Sequence, residues 1–301
     1  MMKLYRIIVA GLISCLITTS IIAKLKVVSS TSDLAAIARE IGVDLVEVDY
    51  ICPPEGNPHF VEAVPTQMIA VSRADIYLKI GMELDQWADN IIDGSRNRHL
   101  KIVDCSQGID RLEVPTTKVN ASLGDIHAQG NPHYWLNPAN GIIIARDIAD
   151  AFSQADAQNY NYYQENLNNF EEKLRSKIEE WKIEAASLKG IKIVTYHNSW
   201  PYFASAFSLD VVGFIEPFPG IEPTPSHIAN LIEMIKEMDV RIIGKEPYFE
   251  GRTPRLIASA TKAAVIDLPP SVGGAKGIET YFDLFDFLIS KLNNNLKASE
   301  L

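Results

Sequence analysis

The chain is poor in cysteine. It has three among 301 residues, and none belongs to a Cys-x-x-Cys pair, so a zinc site built from paired thiolates is disfavoured. A His-Glu-x-x-His helix, a Gly-x-Ser-x-Gly elbow and a phosphate-cradling glycine loop are missing as well. The usual sequence signatures of metalloproteases, serine hydrolases and nucleotide-binding enzymes are therefore absent.

Long apolar runs are also lacking after the first 23 residues. Lys3 and Arg6 precede an uncharged apolar run from Ile7 to Ala23. This pattern predicts a secretory signal over residues 1–23 with cleavage after Ala23, since the run is shorter than the ~20 residues of a membrane span. The order Leu-Ile-Ser-Cys ending at Cys15 also resembles a lipobox, and lipid anchoring through Cys15 is the less favoured alternative.

Basic residues are outnumbered. Without Lys3 and Arg6, the chain has 26 of its 28 basic residues and all 38 acidic ones, which gives a formal charge of −12. An acidic surface attracts cations and repels phosphate backbones, so nucleic acid is not an expected partner. Two cysteines, Cys52 and Cys105, remain in the exported chain. They could pair in an oxidising compartment or stay as buried thiols, and the sequence leaves both open.

Strand and helix patterns alternate twice along the chain. β-Branched segments predict strands at Leu25–Ser29, Leu45–Cys52, Ile76–Ile80 and Lys101–Asp104, then at Ile191–Tyr196, Val211–Ile215, Val240–Ile243 and Ala264–Leu268. Helical patterns lie between them at Asp33–Ile41, Thr66–Ser72 and Thr224–Met238. We predict an α/β protein with two lobes, residues 24–137 and 190–301, each with a roughly four-stranded, mostly parallel sheet flanked by helices.

A helical region, residues 138–189, joins the predicted lobes. Its apolar residues recur every three or four positions, at Leu167, Phe170, Leu174, Ile178, Trp181, Ala185 and Leu188. This stripe predicts a long helix packed against both cores, with a break near Gln154–Asp156 and an end at Gly190. About 30 helical residues would extend ~45 Å.

Six histidines are present, and two of them occupy a repeated turn. Gly-Asn-Pro-His ends at His59 and again at His133. Proline restricts the backbone next to each imidazole and asparagine can hydrogen-bond within the turn, which favours a metal-ligand role for both. His197 directly follows a predicted strand, and ligand sites of open α/β sheets lie beyond the carboxyl ends of their strands.

The other three histidines rank lower as ligands. His99 lies between charged residues and is expected at the surface, while His227 lies in the first turn of a predicted helix and is expected to be structural. His127 precedes His133 by six residues in a glycine-containing loop. It is predicted either as an ordinary loop residue or as a secondary ligand.

A carboxylate is expected as the fourth ligand of a closed tetrahedral site. Asp267, near the end of the last predicted strand, is a weak candidate. Glu246, after the preceding strand, is held in reserve, with Lys245 facing the opposite side of that strand. Glu216 and Glu222, near several prolines, rank third.

The motifs together resemble the zinc- and manganese-binding solute-binding proteins of bacterial metal ABC transporters. The most specific segment is Pro-His-Tyr-Trp-Leu-Asn-Pro at residues 132–138. The resemblance implies two lobes joined by one rigid helix, an ion at the lobe interface and ligands at His59, His133 and His197. In the manganese type a glutamate would occupy the position of His197, so zinc is favoured over manganese.

Two features depart from the family pattern. The family's last ligand is an aspartate in a Leu-Asp-Pro sequence, whereas this chain has Ile-Asp-Leu-Pro-Pro around Asp267. No long loop rich in histidine and aspartate is present, because residues 121–130 contain only Asp125 and His127 of these types.

We therefore expect a monomeric periplasmic protein that captures Zn²⁺ with high affinity and delivers it to an ABC permease in the inner membrane, without catalysis. Two alternatives stay open. A secreted zinc hydrolase would use Glu246 or Glu55 as general base. A surface metal-binding adhesin would depend on acylation of Cys15.

Overall fold

The computed structural model describes residues 24–116 and 127–299. The predicted signal at residues 1–23, with Cys15, lies outside the described residues, as does Asp125. Within the described ranges, no helix is long and apolar enough to cross a membrane.

Two four-stranded sheets form the architecture. The first contains β1 (Leu25–Ser29), β2 (Val46–Tyr50), β3 (Ile76–Lys79) and β4 (Lys101–Asp104), in the order β2-β1-β3-β4. Its helices are α1 (Ser32–Gly42), α2 (Pro65–Ser72) and α3 (Trp87–Ser95). Every strand pairing in this sheet is parallel, which places all four carboxyl ends at one edge.

The second sheet repeats this arrangement. It contains β5 (Lys192–Thr195), β6 (Asp210–Phe214), β7 (Ile242–Lys245) and β8 (Ala264–Asp267), in the order β6-β5-β7-β8. Its helices are α6 (Pro201–Phe207), α7 (Pro225–Glu237) and α8 (Arg252–Ser259). These pairings are also all parallel, so the prediction of two four-stranded α/β lobes is confirmed.

The linking region consists of two helices, α4 (Asn140–Ala155) and α5 (Tyr160–Glu184), with short 3₁₀ turns at 157–159 and 185–188. The predicted break is present at Asp156. Its carboxylate accepts hydrogen bonds from the Asn159 amide and the Tyr163 hydroxyl, which hold the start of α5. At ~1.5 Å per residue, the 25 residues of α5 extend about 37 Å.

The predicted apolar stripe of this region faces the core. All of its members are buried except Ile178, which is partly buried. Trp181 packs against Phe285 of a C-terminal helix, α9 (Tyr281–Ser299), with ring centroids 4.9 Å apart. One apolar core continues from the first sheet through α5 to the second sheet, so the lobes share a large packed interface.

A buried carboxyl group also joins the lobes. Asp33, in the first turn of α1, accepts a hydrogen bond of 2.9 Å from the backbone N–H of Val272 in the second lobe. Burial raises the pKa of Asp33 to about 7.

The two cysteines do not pair. Cys52 follows β2 and Cys105 follows β4, and these strands are the opposite edges of the first sheet. Three strand spacings of ~4.8 Å separate them, about twice the Cα distance that a disulfide spans. Both are buried free thiols.

Candidate metal centre

Three histidines meet where the two lobes face each other. His59 lies in the loop after β2, His133 immediately precedes the 3₁₀ turn at 134–136, and His197 lies two residues after β5. Their potential ligand atoms all lie within 4.8 Å of one another, and the Nε2 atoms of His59 and His133 are 3.1 Å apart. A tetrahedral ion with bonds of ~2.1 Å separates its donors by about 3.4 Å, so the cluster has the dimensions of a single metal site.

The repeated turn positions two of these histidines in the same way. The Asn57 side-chain oxygen accepts a hydrogen bond from the backbone N–H of His59 at 3.0 Å. The Asn131 side-chain oxygen accepts one from the N–H of His133 at 3.1 Å. Each asparagine therefore fixes the backbone two residues ahead of it, which limits the entropy lost when an ion binds.

Gly130 is required in the second copy of the turn. Its φ of +103° is rarely adopted by other residues, and a Cβ at this position would lie 2.7 Å from the carbonyl oxygen of Leu112. The glycine therefore allows the segment before His133 to pack closely on the chain around Leu112.

Hydrogen bonding and burial prepare His133 for an ion. Its Nδ1 lies 2.9 Å from the Asn131 side-chain oxygen, which selects the tautomer that leaves Nε2 as a lone-pair donor. Burial lowers the pKa of His133 well below its usual value, and the adjacent His59, His197 and His127 lower it further. The imidazole is neutral at physiological pH, as metal ligation requires.

Glu216 orients His197. A carboxylate oxygen of Glu216 accepts a hydrogen bond of 2.8 Å from Nδ1 of this histidine, and both side chains are buried. The Nε2 of His197 is thereby directed to the cluster. Glu216 ranked third as a ligand candidate in the sequence, and in the structure it contacts His197 and is not part of the three-histidine cluster.

The two favoured carboxylate candidates lie outside the histidine cluster. Asp267 is paired with Lys245 at 2.7 Å and its side chain is 63% exposed, because the parallel register of β7 and β8 places these two residues side by side. The structure thus does not bring Asp267, predicted as a weak fourth ligand, to the histidine cluster. Glu246 is fully buried next to His197 and accepts a hydrogen bond of 2.9 Å from the Trp200 indole. Burial raises its pKa.

The remaining histidines occupy different environments. His127 is buried, and its ring stacks on that of His59 with centroids 5.2 Å apart. His99 is exposed, and Nε2 of His227 lies 3.0 Å from the carbonyl oxygen of Phe214. His127 thus borders the cluster, whereas the other two do not.

A cavity of about 60 Å³ adjoins the cluster. Besides the four histidines, it is lined by Glu113, Asn131 and Asn198. No motif in the sequence marks Glu113 as part of the site. Asn131 and Asn198 lie within the histidine motifs, and this closeness in sequence to His133 and His197 could have indicated that they line the site.

Comparison with known proteins identifies the family. The family model described as ZnuA, zinc-uptake complex component A, periplasmic, matches residues 27–295. The chain belongs to the ZnuA family. This confirms the resemblance seen in the sequence, and it places the chain among the metal-binding components of ABC transporters.

Relatives of this ZnuA-family chain extend over most of its length. The manganese ABC transporter substrate-binding lipoprotein PsaA of Streptococcus mitis is 25% identical over 284 residues, 91% of this chain and 89% of that protein. A crystal structure of ZnuA superposes with a TM-score of 0.78 at 27% identity, covering 90% of this chain and 99% of the other. A crystal structure of a zinc-bound ZnuA deletion mutant superposes with a TM-score of 0.77 at 27% identity, covering 90% of this chain and 98% of the other.

Proposed function

We propose that this protein captures Zn²⁺ outside the cytoplasm and delivers it to a membrane ABC permease. The observation that carries the proposal is the convergence of His59, His133 and His197, with all ligand atoms within 4.8 Å. These residues come from separate loops of both lobes, and each imidazole is held by its own turn or by a hydrogen bond to a neighbour.

The donor set supports zinc over manganese. In the part of the chain that the structure describes, the cluster contains three imidazoles and no carboxylate. Nitrogen-rich sites suit zinc, whereas manganese prefers carboxylate, carbonyl and water oxygens. The description of the family model names zinc, whereas the name of the Streptococcus mitis relative names manganese. Our preference for zinc therefore rests on the donor atoms of the cluster.

We propose water as the fourth ligand, with two carboxylates behind His197. Glu216 bonds this histidine directly, and Glu246 is buried beside it. Negative charge behind an imidazole strengthens it as a donor to a cation. Glu216 supplies this charge through its hydrogen bond to His197, and Glu246 keeps its hydrogen bond to Trp200.

The size of the cavity favours ion capture over hydrolysis. Its volume of about 60 Å³ corresponds to roughly two water molecules. Pockets that bind organic ligands usually measure about 300–1,000 Å³. An ion that has exchanged most of its water for imidazoles fits such a space, whereas a peptide or ester substrate does not.

Metal titration tests the proposal. Purified, metal-stripped protein is titrated with Zn²⁺ and with Mn²⁺ in competition with a chelator. We expect tighter Zn²⁺ binding, and a loss of more than about 100-fold for His59→Ala, His133→Ala or His197→Ala, since changes behind a ligand already cost 10–100-fold. His99→Ala is the matched control because His99 is exposed. Unchanged zinc affinity in the His59 and His133 variants would contradict the proposal.

Export and anchoring are tested by mass spectrometry of the protein isolated from cells. Cleavage after Ala23 predicts a mature chain that starts at Lys24, whereas a diacylated N-terminal Cys15 would show lipid anchoring. The name of the Streptococcus mitis relative includes the word lipoprotein, and the family description says periplasmic; both place those proteins outside the cytoplasm. We propose the same location for this chain, as a monomer.

A further inference from the structure

Residues 112–113 form a bridge between the lobes at the edge of the metal site. The backbone N–H of Leu112 donates a hydrogen bond of 3.0 Å to the Tyr202 hydroxyl on α6 of the second lobe. The carbonyl oxygen of Leu112 accepts one of 2.9 Å from the N–H of Asn131, next to the first lobe's histidine turn. Glu113 therefore stands between the two lobes, at the wall of the cavity.

The Glu113 side chain closes a ring of hydrogen bonds with two asparagines. One carboxylate oxygen accepts from the Asn131 amide at 3.1 Å and from the Asn198 amide at 2.8 Å. The Asn131 amide also donates to the Asn198 carbonyl at 2.8 Å. Two of these three hydrogen bonds, those that involve Asn198, join the first lobe to the second.

Each asparagine of the ring is attached to a proposed zinc ligand. Asn131 contacts both the backbone N–H and the ring nitrogen of His133, and Asn198 directly follows His197. The Asn131 side chain consequently makes four hydrogen bonds, its full capacity. A displacement of one lobe relative to the other must break the ring before the two histidines separate.

Glu113 holds this position in an unfavourable backbone conformation. Its φ is +55°, in the left-handed region that costs a non-glycine residue free energy. Strained residues of this kind persist where the surrounding contacts hold them, and they concentrate at functional sites. In a surface turn without a further role, glycine would adopt this conformation without the free-energy cost that glutamate incurs.

We infer that Glu113 is a positioning residue that latches the two lobes together over the bound ion and slows its release. The inference rests on the proposed function, since it concerns release of the same ion. Glu113 holds the asparagines, and through them His133 and His197, without itself ligating the metal. Loss of the latch therefore speeds dissociation and leaves the ligand set unchanged.

The test compares two glycine variants that relieve the same backbone strain. Glu113→Gly removes the latch. Arg96→Gly is the matched control, because Arg96 also has a φ of +55° but is exposed at the end of α3. Zinc release is measured by stopped flow after mixing with excess chelator, and the absorption spectrum of the Co²⁺-loaded protein reports the ligand set.

We expect zinc release at least about tenfold faster from Glu113→Gly than from Arg96→Gly, equivalent to about 1.4 kcal/mol. The Co²⁺ spectrum stays that of the parent, and the thermal midpoint of the metal-free protein changes no more than in the control. Asn198→Ala speeds release similarly, and the double variant is no faster than either single one, because one ring is lost in each case.

Three results would overturn the inference. Release within twofold of the control would show that the ring does not retain the ion. An altered Co²⁺ spectrum would make Glu113 a ligand, and a much lower thermal midpoint would make it a structural residue. Failure of the proposed function has a different signature, namely a His59→Ala variant that binds Zn²⁺ as tightly as the parent.

Discussion

The hydrogen bond between His197 and Glu216 predicts a graded loss of zinc affinity. The carboxylate lies 2.8 Å from Nδ1 of the imidazole and also accepts the backbone N–H of Gly220 at 3.3 Å. Groups behind a ligand histidine contribute 10–100-fold to metal affinity, about 1.4–2.7 kcal/mol. Glu216→Gln keeps an acceptor but removes the charge, so we expect about a tenfold loss. Glu216→Ala removes both, and its loss approaches about 100-fold.

Competition between the protein and a fluorescent zinc chelator measures both variants. Glu222→Gln is the control, because Glu222 is an exposed glutamate six residues further along the same loop region. The Co²⁺ spectrum of Glu216→Gln should keep the parental form, since the carboxylate acts through His197. Equal affinities for Glu216→Ala and the parent, within twofold, would refute the reasoning.

Three further outcomes follow from burial. Asp33 has a pKa of about 7 in the folded protein and 3.8 in the unfolded chain. Between these pH values the folded state holds a proton that the unfolded state has lost. The free energy of unfolding therefore falls by about 4 kcal/mol as the pH rises from 3.8 to about 7. Urea denaturation at pH 4.5 and at pH 8 measures this difference in the free energy of unfolding, and we expect the Asp33→Asn substitution to remove it. Trp181→Ala costs about 3–5 kcal/mol, whereas Ile183→Ala, with Ile183 77% exposed on the same helix, costs little. Burial raises the pKa of Cys52 to about 12 and that of Cys105 well above its usual value, so neither reacts with a disulfide reagent at pH 8 until the protein unfolds.

Each of these expectations has a contrary result. An equal pH dependence in Asp33→Asn and the parent would place the titrating group elsewhere. Equal denaturation midpoints for the two α5 variants would mean that the interface with α9 contributes little. Rapid labelling of either thiol in the folded protein would contradict its burial.

Much of the fold was predictable because its signals are local. β1 and β4 have the predicted boundaries, and the other six strands differ from prediction by at most two residues at either end. Short β-branched runs bounded by turns carry this information without reference to distant residues. The helix α9 was not predicted, although its packing against α5 and α1 completes the shared core.

Candidate site residues were predictable only where they lie in a local sequence motif. The repeated turn pointed to His59 and His133, and a position after a strand pointed to His197; the structure brings these three side chains together. Glu216 and Glu113 carry no such signal, because the residues of the histidine motifs that they contact are 18 to 85 residues away. The prediction for Asp267 assumed that a strand-end acid turns to the cleft, and the register with Lys245 directs it to solvent.

The sequence by itself determined which residues can bind an ion, since imidazoles in rigid turns are a local property of the chain. Only the tertiary structure decided which of them meet, how each is oriented and what joins the lobes. Orientation depends on Glu216, which reaches His197 through the pairing of β5 with β6 and a register shift between Ile193 and Val194. Such contacts arise from packing between separate strands, and no neighbouring residue in the sequence encodes them.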